Sequence, residues 1–167
     1  MPAEKEFLAE NIQFTYEGIF DIIEFFKAVE AWAKKEGREI DMKKRLEHVE
    51  PEGKKIEYAV ELWRNEDRTY RTIVRLRALF DDVTEVDIKK GKSKRKLNKG
   101  KALVKIDTML ETDWEGHWHQ KTTYNFLRTL FDRFIWNIHE HKYVHEAVHE
   151  THDFEKTLKA FFQMYKY

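Results

Sequence analysis

Two neighbouring segments alternate in a way that only paired strands satisfy. Across residues 55–64 the apolar positions are Ile56, Tyr58, Val60 and Leu62, with Glu57 and Glu61 among the residues between them. Across residues 70–80 the set Thr72, Val74, Leu76, Ala78 and Phe80 alternates with a second set that holds Arg71, Arg75 and Arg77. A period of two places each set on its own face of a strand. The link 65–69 is of hairpin length. Glutamates of one strand then face arginines of the next, a pairing that antiparallel neighbours favour. The chain is thereby committed to an antiparallel sheet with one apolar and one charged face, and helices cover only the first.

Other segments extend the sheet. Residues 7–16 carry Ile12, Phe14 and Tyr16 on one face, and Gly18 is read as the break after them. A strand at 39–49 precedes the turn Pro51-Glu52-Gly53, and two more are expected at 83–88 and 101–111. Between the first two strands, residues 20–36 recur at helical spacing through Ile22, Phe26, Val29 and Ala33, and Gly37 takes the C′ position. From Thr122 the period becomes helical again, with Leu127, Phe131, Phe134 and Ile138 on one stripe. Later apolar residues, Val144, Val148, Phe154, Leu158, Phe161 and Tyr165, fall on a stripe rotated by roughly 100°. A straight helix cannot bury both stripes against one sheet, so a break is expected between His139 and Tyr143. The reading is a single α+β domain over 1–167. Its antiparallel sheet of about six to seven strands is covered on one face by an N-terminal helix and a long or broken C-terminal helical region.

Charge is segregated along this chain. Residues 89–101, KKGKSKRKLNKGK, hold eight Lys and Arg and no acid, although the formal net charge is zero. Removing those eight leaves 23 basic residues against 31 acids, so the body is acidic. Turn chemistry at Lys90-Gly91 and at Asn98-Lys99-Gly100 makes the segment a hairpin extension. Lys89, Lys90, Lys92, Lys94, Arg95, Lys96, Lys99 and Lys101 are the candidate anion-binding residues. Lysines on an edge strand also discourage sheet aggregation, which is the plainer use of such a run.

Composition narrows the class. There is no cysteine, so neither disulfides nor thiolate metal sites form. No apolar run is long enough to span a membrane, and the acidic start MPAEKEFLAE argues against a secretory signal. Charged residues make up 37% of the chain and Ser93 is its one serine, a usage typical of thermophiles. A cytoplasmic protein from a hot or archaeal source is the expectation.

The sharpest chemical motif is His145-Glu146-Ala147-Val148-His149, which matches HExxH. In zinc hydrolases of that pattern two histidines one helical turn apart bind the metal and the glutamate acts as base. A third ligand is the difficulty. His152 lies about 10 Å along a continuous helix from His145, and His117 and His119 precede the helix. The competing reading is a solvated stripe flanking Val144 and Val148. Trp114, Trp118, His117 and His119 crowd a turn around Gly116, either as a pocket rim and base-stacking platform or as a cap on the core. Lys44 and His48 share the inward parity of Ile40, Met42 and Leu46, which implies a polar cavity or a frayed strand end. No nucleophile has a recognisable setting and no glycine-rich phosphate loop exists.

The order strand, helix, a run of antiparallel strands and a C-terminal helical region resembles the helix-grip superfamily of START and polyketide-cyclase-like domains. That resemblance implies a sheet wrapped around the last helix with an apolar ligand between them, here lined by Tyr58, Leu76, Phe80, Phe131 and Phe134. The segments LETDWEGHW (110–118) and FLRTLFDRF (126–134) look like small uncharacterised archaeal proteins, which implies no function. Three functional readings follow. The first is a non-enzymatic module whose basic hairpin engages nucleic acid, a ribonucleoprotein or an acidic protein. The second is a helix-grip binder of an apolar molecule, and the third a zinc hydrolase using His145, Glu146 and His149.

Overall fold

The computed structural model describes residues 4–67, 69–112 and 136–166. In chain order these form β1 (Glu4–Phe20), α1 (Ile22–Lys35), β2 (Glu39–Glu50), β3 (Gly53–Asn65), β4 (Tyr70–Lys90), β5 (Ser93–Thr112) and α2 (Trp136–Gln163). The strands make one antiparallel sheet in the order β1-β5-β4-β3-β2, and both helices pack on one face of it.

Helix α1 begins where Asp21 caps it, its carboxylate accepting from the Ile23 and Glu24 N–H groups at 3.1 and 3.2 Å. It ends in a Schellman turn. Gly37, at φ 67°, donates to Lys34 O, and the Arg38 N–H reaches back to Ala33 O at 2.8 Å. The buried stripe Ile22, Phe25, Phe26, Val29, Trp32 and Ala33 lies against the sheet.

The core is aromatic. Phe25 meets Phe80 at 5.3 Å between ring centroids and Phe162 at 5.6 Å, and Trp32 stacks on Phe154 at 4.3 Å. Val60, Leu62, Val74, Leu76, Val104 and Ile106 are fully buried beneath them, and Ile22 and Phe26 are buried, whereas Phe14 is only partly so. Leu127, Phe131 and Phe134 lie outside the described residues.

Several expectations need correction. The described residues contain five strands where six or seven were expected, because 70–80 and 83–88 are one strand. The extra residue is absorbed by a bulge between Asp81 and Thr84, in which Asp82 takes a left-handed φ of 55° and pairing with β5 resumes. Opposite it stands Gly100, expected in a turn and found inside β5. A Cβ there would lie 2.8 Å from Asp81 O, so the close backbone approach requires glycine. Gly18 likewise does not end β1, which continues to Phe20.

A further correction concerns α2, which runs through His139–Tyr143 with no break. Of the earlier stripe, Leu127, Phe131 and Phe134 lie outside the described residues. The later stripe, through Phe154, Leu158, Phe161 and Phe162, is the one buried on the main core. Tyr143, Ala147 and Thr151 continue that face toward the start of α2, where Tyr143 joins a small cluster with Tyr70 and Leu110.

Candidate functional site

The basic segment is the end of the β4–β5 hairpin. Lys90 pairs with Ser93 across Gly91 and Lys92, and residues 91–96 are exposed, as is Lys89. The register divides this arm into two faces. Val86 opposite Leu97 and Ile88 opposite Arg95 share one face; Asp87 opposite Lys96 and Lys89 opposite Lys94 share the other.

The first face is anchored. Leu97 is 3% exposed, and Val86 and Ile88 pack against the core. Arg95 reaches the Asp21 carboxylate at 3.2 Å, and Asn98, which has the parity of Lys96, accepts at Oδ1 from the Ile22 N–H at 3.0 Å. The arm is therefore fixed at its root to the start of α1.

The second face carries the lysines. Its partner strand tempers them, since Asp87 lies 3.7 Å from Lys94 Nζ; Lys99 and Lys101 share instead the parity of Arg95 and Leu97, and Lys101 lies 3.9 Å from Asp82. Lys89, Lys92, Lys96 and Lys99 make no ion pair among the described residues. Lys89 and Lys94 stand directly opposite one another, an arrangement that destabilises a bare hairpin.

At the foot of the arm a cleft of about 540 Å³ opens between α1, β2 and β5. Ile22, Phe26, Ile56, Val83 and Leu97 form its apolar surface, and Arg45, Lys54 and Lys96 stand at its edge. Sequence reasoning missed Arg45 because of a bulge between Met42 and Lys44. Before it Ile40 and Met42 lie opposite the inward residues Leu62 and Val60; after it Arg45 lies opposite the inward Tyr58. Lys44 and His48, expected to point inward, are thereby turned to the outer face, where Lys44 Nζ meets Glu57 at 2.9 Å. No buried lysine results. Arg45 lies over the Phe26 ring, 4.4 Å from its centroid.

The residues proposed for an apolar ligand are packed core. Phe26 lies 4.5 Å from Tyr58 and Phe25 lies 5.3 Å from Phe80, so α1 occupies the space over them. Leu76 is fully buried beside them, while Phe131 and Phe134 lie outside the described residues. Burial pushes the Tyr58 phenol up to about 12, helped by the Glu30 charge.

The HExxH residues ride on α2, with His145, Glu146, His149 and His152 all exposed. Glu150 and Asp153 border a hollow beside His149 but are engaged elsewhere. Glu150 accepts from Arg64 at 2.9 Å, and Asp153 accepts from the Trp32 indole at 3.0 Å. Among the described residues no group of three or more His, Asp or Glu is arranged to hold a metal ion. Trp114, His117, Trp118 and His119 lie outside the described residues.

On the outer face, Asp107 is 2% exposed. It accepts from the Asn11 N–H at 2.8 Å, from Arg75 at 3.1 Å and from Arg77 at 2.9 Å. Burial alone would raise its pKa, but these three donors outweigh it and hold the carboxyl below its ordinary range. Beside it an apolar row crosses four strands, from Trp63 through Ile73 and Met109 to Phe7. Alternation alone marks that face as charged, and only the register reveals the row.

Compared with models of known families, with curated proteins and with solved structures, the chain matches none. No described helix is long and apolar enough to cross a membrane.

Proposed function

We propose that the protein is a binding module for a nucleic acid strand, engaged by the β4–β5 arm. The observation that carries this reading is the two-faced register of the arm: one face anchored by Leu97, Val86 and Ile88, the other presenting Lys89, Lys94 and Lys96. Residues two apart on a strand project in the same direction about 6.8 Å apart, so these lysines offer a row of charge to a thread of phosphates. The acidic body repels the same ligand elsewhere, which confines and orients the encounter. Edge protection alone does not call for an anchored arm. Few aromatics accompany the lysines, so the arm itself reads charge and not sequence.

The test is a salt titration of binding to single-stranded RNA. If about four side chains neutralise phosphates, log K falls against log salt with a slope of roughly −3. Replacing Lys89, Lys92, Lys94 and Lys96 together by Ser should flatten that slope without lowering thermal stability. Binding that survives the replacement, or no binding by the intact protein at low salt, refutes the reading. An acidic protein that binds the arm while RNA does not would move the assignment to that partner class.

A further inference from the structure

The cleft at the root of the arm has no part in a purely electrostatic grip, yet it shares a residue with it. Lys96 stands both in the lysine row and at the cleft edge. A strand lying along Lys89, Lys94 and Lys96 is therefore delivered to the cleft mouth. About 540 Å³ is within the range of small-ligand sites. Its wall joins an apolar floor, at Ile22, Phe26, Ile56 and Val83, to polar and charged side chains.

Its polar groups are arranged for a flat ligand with polar edges. Arg45 holds its guanidinium carbon over Phe26, 4.4 Å from the ring centroid, at the cleft wall, and a guanidinium plane stacks bases. Of the three carboxylates lining the cleft, Asp21 caps α1 and binds Arg95, and Glu47 pairs with Lys54 at 3.0 Å. Glu85 makes no ion pair among the described residues and is left to accept from a base N–H.

We propose that this cleft receives one unstacked base of a single-stranded nucleic acid whose phosphates follow the lysine row. The inference rests on the proposed role of the arm and adds a preference that charge alone does not give. Paired bases cannot enter, so single strands are selected over duplexes.

Three ligands of equal length separate the two ideas when titrated against the whole protein by fluorescence anisotropy: single-stranded RNA, an abasic ribose-phosphate oligomer, and blunt duplex RNA. Stacking of one base predicts that RNA binds about tenfold more tightly than the abasic oligomer, with the duplex weaker than the single strand. Arg45→Ala, at an exposed side chain, should abolish that difference once a thermal melt has shown the variant folded. Glu85→Gln, on the opposite side of the cleft, should narrow the difference in the same direction. Equal binding of RNA and the abasic oligomer by the intact protein overturns the cleft while leaving the arm's role intact. A preference that persists in Arg45→Ala overturns it as well. If none of the three binds at low salt, the arm's role fails and takes this inference with it.

Discussion

Arg38 donates from Nε to Glu150 Oε2 at 3.2 Å, tying the residue that follows the turn after α1 to the middle of α2. The same guanidinium gives Nη1 to Leu62 O at 3.3 Å and to Thr72 O at 3.1 Å, so a side chain buried beneath α2 is satisfied on three sides. Arg64 closes the group through Glu150 Oε1 at 2.9 Å and Glu66. Burial pulls the Arg38 pKa down, and the Glu150 bond and charge oppose it.

Removing the carboxylate should therefore be costly. Glu150→Ala leaves a buried cation with two carbonyls and only the more distant Glu66 charge, and breaking such a pair costs about 3–5 kcal/mol. Urea unfolding measures it. A loss below about 1 kcal/mol, the scale of a surface pair, would mean that water readily replaces Glu150.

Asp107 sets the acid limb of stability. Its folded pKa is depressed, because the Asn11 N–H, Arg75 and Arg77 outweigh the effect of burial. A depressed carboxylate contributes stability above its unfolded pKa, about 3.9, and that contribution is lost as pH falls through the lower folded value. Asp107→Asn should be less stable than the parent at neutral pH and should show a shallower decline below about pH 4. Parallel stability curves for the two proteins down to acid unfolding would remove Asp107 from this role.

These two centres differ in how far the sequence discloses them. The alternation of Ile56 to Leu62 and of Thr72 to Phe80 is local and belongs to the strands themselves, so their pairing and buried face can be read directly. Gly37 similarly marks the end of α1, because a left-handed C′ residue is a local demand. Bulges are different. Whether β2 slips between Met42 and Lys44 is decided by its pairing with β3, and nothing in MKKR states it. One slipped residue exchanges Lys44 for Arg45 on the inner face, which is why parity assigned the cleft arginine to the wrong side. The left-handed Asp82 hides in the same way, as one of two adjacent aspartates. Its partner Gly100 looks like a turn until the opposing backbone is in place.

Tyr58 carries a prediction at the other end of the pH scale. Its hydroxyl is buried and finds no hydrogen-bond partner among the described residues. An unsatisfied buried hydroxyl costs about 1–3 kcal/mol, so Tyr58→Phe should raise stability, by about 1 kcal/mol at the lower end of that range. The folded pKa is raised to about 12. The stability linked to this group is complete below the unfolded value of about 10 and declines as pH rises from there through the folded value. The Phe variant should therefore lose less stability across that alkaline window. Destabilisation by Tyr58→Phe would show that the hydroxyl has found a partner, a water included.

The opposition of Lys89 and Lys94 links stability and binding in a single pair. Two ammonium groups directly across an antiparallel ladder repel, and Asp87, 3.7 Å from Lys94, relieves only one of them. An opposite-charge pair at that position is worth a few tenths to about 1 kcal/mol over a neutral one. Lys89→Glu should therefore raise the melting temperature, by about 1–3 °C for a chain of this size. If the lysine row exists to hold phosphates, the same change should weaken RNA binding and reduce the salt slope by at least roughly 0.7, the share of one phosphate contact on a single strand. A variant that is more stable and binds worse marks the row as retained for its ligand. A variant that is more stable and binds RNA with unchanged affinity and slope leaves Lys89 outside the contact, and the row would then begin at Lys94. Lower stability in Lys89→Glu would mean that the two ammonium groups avoid each other in solution, and the repulsion argument would be lost.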